Sequence, residues 1–149
     1  MALARRPLIA ILLTLPFADA LAAGKTIKLR IASDGDEMAF KPDRLRCPAG
    51  AEVRLSFHHA GEISSDPHDW VLLKPGTEKA FLADADRQTD DSVVIPPADK
   101  DMVLAATPLC PKGRTVSVTF TAPAPGAYPF VCSVAGHGES MNGVLIVTA

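Results

Sequence analysis

A thiol, an imidazole and a thioether lie within ten positions of one another: Cys132, His137 and Met141, inside the segment 128–143. Soft sulfur donors combined with imidazole suit copper, above all where both Cu(I) and Cu(II) must be held. Copper adopts one such arrangement with two histidines and a cysteine in a plane and a weak, distant methionine on the axis. A second histidine is then needed from elsewhere. His68, in Asp66-Pro67-His68-Asp69-Trp70, follows a turn and opens a strand, which makes it the leading candidate. Zinc fits this set less well, because its sites use thiolate, imidazole and carboxylate rather than thioether. Singly, each residue has a bland reading: a structural cysteine, a surface histidine, a core methionine. Their joint order and spacing carry the metal reading.

The elements that must position these side chains read as short strands. Ile27, Leu29 and Ile31 alternate with Lys28 and Arg30; Val53, Leu55 and Phe57 with Arg54 and Ser56; Val116, Val118 and Phe120 with Ser117 and Thr119. Each pattern puts one face on a core and one toward water. Trp70–Leu73, Val93–Ile95, Met102–Ala105, Tyr128–Cys132 and Gly143–Val147 are further strand candidates. Turn chemistry separates them, as in Asp34-Gly35-Asp36, Pro48-Ala49-Gly50, Lys74-Pro75-Gly76 and Pro111-Lys112-Gly113. Thr77–Arg87 differs and reads as one short helix capped by Thr77. The fold expected is all-β: an antiparallel Greek-key β-sandwich with a short helical insertion. The cluster Asp84, Asp86, Asp90 and Asp91 reads as a solvated loop face. His58 and His59 point to opposite faces of their strand, with His59 on the inward parity.

The 149 residues suit a single domain, and 13 prolines with 10 glycines fit many short elements better than a helical bundle. Residues 1–22 read as a secretory signal peptide: Arg5 and Arg6, an apolar run from Leu8 to Leu15, then Ala20-Leu21-Ala22. The run is shorter than the ~20 residues of a membrane span. Cleavage after Ala22 gives a mature domain, 23–149, with no membrane span and expected in the periplasm. Losing Arg5, Arg6 and Asp19 moves the net charge from −2 to −3, which argues against nucleic acid as a partner.

In these residues the chain resembles the azurin/auracyanin-like branch of the cupredoxins, the small blue-copper proteins. The resemblance rests on Cys132-x4-His137-x3-Met141 and on His68-Asp69-Trp70. Met38-x-Phe40, Leu45, Val53–Gly61, Ser117–Phe120, Tyr128 and the Gly143–Val147 strand follow in the same order. It implies one copper ion held by His68, Cys132 and His137 in the equatorial plane. Met141 would be axial, and the carbonyl of Pro67 a weak contact opposite. It implies that His137 lies nearest the surface and that His59 stands near the metal without binding it. It also places Asp69 where azurin has an asparagine joining the two ligand loops. A carboxylate there accepts hydrogen bonds from Ser133 but, when ionised, donates none. The loop carries Glu139 and Ser140, so the docking patch, with Met38, Ile63 and Val134, is smaller and more polar than azurin's.

The function expected is that of a monomeric, non-enzymatic carrier of one electron, docking transiently with redox partner proteins near His137. The alternative is a copper-binding chaperone using the same site, but the chain has no Met- or His-rich cluster. A copper enzyme needs a second, open metal position, and only His58 and His59 remain to build one. With Cys132 given to the metal, Cys47 and Cys110 are expected to pair as a disulfide in an exported protein.

Overall fold

The computed structural model describes residues 26–63, 66–90 and 92–149; the signal segment, 1–22, lies outside them. Two sheets face each other across one core. The first runs β2-β1-β4-β7, from strands β1 (Ile27–Asp34), β2 (Glu37–Lys41), β4 (Glu52–His58) and β7 (Thr115–Thr121). The second runs β3-β9-β8-β5-β6, from β3 (Arg44–Pro48), β5 (Val71–Leu73), β6 (Val103–Ala106), β8 (Gly126–Val131) and β9 (Asn142–Thr148). Pairing is antiparallel except for β1 with β4 and β3 with β9, which run parallel.

The alternation along β4 shows why these residues form a sandwich. Val53, Leu55 and Phe57 are fully buried, while Glu52, Arg54 and His58 face solvent. Trp70, Phe130 and Leu145 join them in one core cluster from the side of the second sheet, and Phe40 packs edge-on against Phe57 and Phe130. Burying one such side chain contributes about 1.5–3 kcal/mol, so the strand faces, not isolated contacts, hold the layers together.

β5 shows no alternation because both its faces are covered. Leu72 points into the main core; Val71 and Leu73 join a second cluster with Val131, Phe81 and Ala85. Phe81 and Ala85 come from α1 (Glu78–Ala85), the expected insertion, which lies on the outer face of the second sheet. Thr77 occupies the N-cap position, yet its hydroxyl donates back to the Lys74 carbonyl instead of capping α1. The 93–95 segment is not a strand. Val94 and Ile95 are partly buried against the second cluster, ahead of a 3-10 turn, Pro97–Met102.

Cys47 and Cys110 are buried and free, which corrects the expected disulfide. The topology gives the reason. Cys47 sits opposite Val147, near the end of β9, whereas Cys110 sits opposite His68. Val147 lies six residues beyond Met141, a strand rise of about 20 Å. A disulfide requires Cα atoms within about 7 Å.

Candidate metal centre

Three connections converge at one end of the sandwich: those joining β4 to β5, β6 to β7 and β8 to β9. His68 is locked in place by a two-way backbone bridge to Cys110, with its N–H bonded at 3.2 Å and its carbonyl accepting at 2.7 Å. Two residues on, Trp70 exchanges backbone and hydroxyl bonds with Thr107. Cys132 continues directly from β8, and its N–H donates to the Met141 carbonyl at 2.9 Å. His137 sits in the turn between, its carbonyl accepting the N–H groups of Ser140 and Met141.

The side chains of these three residues meet although 64 positions separate His68 from Cys132. His68 Nδ1 lies 3.2 Å from His137 Nδ1, and Cys132 Sγ lies 3.9 Å from each nitrogen. All three are buried: Cys132 fully, His68 4% exposed and His137 8%. The point equidistant from the three atoms is about 2.1 Å from each, the scale of a first-row metal bond, as the ~2.0 Å to imidazole and ~2.3 Å to thiolate of zinc sites illustrate. Among the described residues this is the group of donors close enough together to hold a metal ion. Met141 is fully buried and packs in the same core cluster as Cys132. Pro67 is half-buried and lines a cleft beside His137.

The electrostatics favour neutral nitrogens and a protonated thiol when no cation is present. Burial, reinforced by any charge on His59 or His137, lowers the His68 pKa to about 4; nearby Asp66 opposes this. Burial also lowers His137, again against Asp66. Burial, then the charge of Asp69, pushes the Cys132 thiol well up. Two converging nitrogen lone pairs and a buried sulfur therefore need something electropositive between them. A soft metal ion held by His68, Cys132 and His137 would supply it, with the thiol proton released.

Asp69 and Ser133 tie the two ligand-bearing segments together. The Ser133 N–H donates to Asp69 Oδ1 at 2.7 Å, and the Ser133 hydroxyl donates to Oδ2. Asp69 is fully buried, and burial raises its pKa to about 6 even though both Ser133 bonds favour the carboxylate. His59, also fully buried, lies with its ring 4.4 Å from that of His68. Its Nε2 faces the Asp66 carbonyl at 2.9 Å and its Nδ1 accepts the Gly61 N–H. His58 is exposed.

Sequence reasoning overlooked two partners of this end. Cys110 is a backbone neighbour of His68, for which the sequence carries no signal. Asp86, read as part of a solvated acidic face, accepts the N–H of Gly136, next to His137.

Fold and site together define a β-sandwich that presents one thiolate and two imidazoles to a single metal ion. Residues 27–148 match the model of the copper-binding proteins of the plastocyanin/azurin family; the chain belongs to that family, whose site takes one copper ion. Auracyanin-A of Chloroflexus aurantiacus is 38% identical over 122 residues, spanning 81% of this chain and 74% of that protein. Azurin iso-2 of Methylomonas sp. is 31% identical over 119 residues, 76% of this chain and 92% of the relative. The solved structure of auracyanin A, described as a "blue" copper protein, superposes with a TM-score of 0.75 at 37% identity. It covers 83% of this chain and all of its own.

Proposed function

We propose that this protein is an exported electron carrier whose single copper ion cycles between Cu(II) and Cu(I). The observation that carries the reading is the closed triangle of His68, Cys132 and His137, all three buried. These three are the proposed equatorial ligands. Met141 is the proposed axial ligand, with the Pro67 carbonyl opposite. Copper would supply a one-electron couple; the protein supplies a donor set fixed by β8, the Cys110 bridge and the Asp69–Ser133 ties. A rigidly held site suits electron transfer because little has to move between the two oxidation states.

Burial of all three donors speaks against the chaperone reading, since handing copper to a partner requires exchangeable, accessible ligands. His137, the most exposed donor, is the proposed exit for the electron. Partners would dock there transiently, across a small interface, with the exposed Met38 and Ile63 as the proposed apolar part of the patch. The proposed location is the periplasm, after cleavage following Ala22, and the proposed state is a monomer. Copper loading followed by absorption and redox titration tests the function. An intense thiolate-to-copper band that bleaches reversibly on reduction is expected. A colourless Cu(II) protein without a reversible couple refutes it.

A further inference from the structure

We infer that the helical insertion clamps the His137 turn, with Asp86 and Leu82 as positioning residues for the metal site. The inference rests on the copper reading of the His68, Cys132 and His137 cluster.

The three donors are not equally anchored. His68 is bridged to Cys110 and Cys132 extends a strand, so both are fixed by pairing across the fold. His137 is held by bonds inside its own turn: its N–H to the Val134 carbonyl, and its carbonyl to Ser140 and Met141. Such bonds fix the shape of a turn but leave its tilt against the sheets undetermined. The neighbours on either side of His137 are glycines, which bring no side chain to pack.

α1 and its C-cap residue, Asp86, supply the missing restraint, one contact on each side of His137. On one side, Asp86 Oδ1 accepts the Gly136 N–H at 2.9 Å. Gly136 has φ +78°, a left-handed turn that glycine adopts without strain. On the other side, Leu82 lies over Gly138. A Cβ on Gly138 would collide with the Leu82 methyl and would stand 2.9 Å from the Cys132 carbonyl. The absence of a side chain is what lets the helix approach. α1 is itself seated through Phe81 and Ala85 on Val71, Leu73 and Val131 of the second sheet. The rigid strands that carry Cys132 thus also hold His137, by way of the helix.

The test uses the copper-loaded chain and the variants Asp86→Ala, Asp86→Asn and Leu82→Ala. Lys79→Ala, at an exposed position of the same helix, is the control for helix stability. Copper loss to a strong chelator and amide exchange at Gly136 are measured for each. Asp86→Ala and Leu82→Ala should release copper about tenfold faster, as expected from losing one anchoring contact, and should speed Gly136 exchange. Asp86→Asn keeps an acceptor oxygen and should restore both rates toward wild type. Rates in Asp86→Ala and Leu82→Ala equal to those in Lys79→Ala overturn the clamp. A wild-type protein that takes up no copper overturns the copper reading instead, and Gly136 exchange in the metal-free variants then decides the clamp by itself.

Discussion

Replacing Asp69 by asparagine isolates the contribution of the one carboxyl buried among the donors. In the metal-free protein, burial lifts the Asp69 pKa from 3.8 to about 6. Between those values the folded chain keeps a proton that the unfolded chain has released. Stability therefore falls as pH rises through that window and stays lower above it. At 1.36 kcal/mol per pKa unit, the shift amounts to a penalty of about 3 kcal/mol at neutral pH. No discount for solvent screening applies, because Asp69 is fully buried. Asparagine keeps an oxygen for the Ser133 N–H and places an N–H where Ser133 Oγ can accept, so both ties survive without the charge. Urea unfolding of metal-free wild type and Asp69→Asn at pH 4 and pH 7.5 measures the effect. The variant should be more stable by about 3 kcal/mol at pH 7.5 and close to wild type at pH 4. An equal gap at both pH values, or a variant less stable at pH 7.5, refutes the reasoning.

Copper-loaded Cys132→Ser should lack the thiolate-to-copper band and any reversible couple, both read by spectroelectrochemistry. Apparent metal affinity should rise about tenfold per pH unit from pH ~6.5 to 8.5, because binding expels one thiol proton while His68 and His137 are already neutral. Competition titrations against a chelator report that slope, and a flat profile contradicts it. Gly143→Ala should destabilise by ~3 kcal/mol, since its methyl would meet the Asp43 carbonyl and the Phe130 ring; thermal unfolding reads this. The melting temperature of the metal-free protein should not change with added reductant, and the same protein denatured should titrate three thiols, because Cys47, Cys110 and Cys132 are all free.

The site was legible where its determinants are local. Cys132, His137 and Met141 share one loop, and His68 announces itself at the start of the Trp70–Leu73 strand. Strand parity gave the buried face of β4 and the inward setting of His59. The helix at 78–85 was legible because its residues match neither strand parity nor turn chemistry. Tertiary facts were not. Val93–Ile95 has strand-like composition, but the second sheet already ends at β6, and those side chains pack against the helix layer instead. The parallel pairings of β1 with β4 and of β3 with β9 leave no trace in alternation, which is the same for either direction. Pairing Cys47 with Cys110 was an argument from compartment, and compartment says nothing about which end of a strand a cysteine occupies. Asp86 looked like one of several exposed acids because its partner is a backbone amide 50 residues away.

The separation of Cys47 from Cys110 has a consequence for biogenesis. Because the native state contains no disulfide, every disulfide the nascent chain could form is a wrong one. A bond from Cys47 to Cys110 would draw together two ends that the sandwich holds apart. A bond to Cys132 would also consume the sulfur the metal needs. In the proposed periplasmic setting, folding would be a race between burial of three thiols and their capture by oxidant. Yield should respond to redox buffer during refolding, while the thiols of the folded protein, all buried, should not.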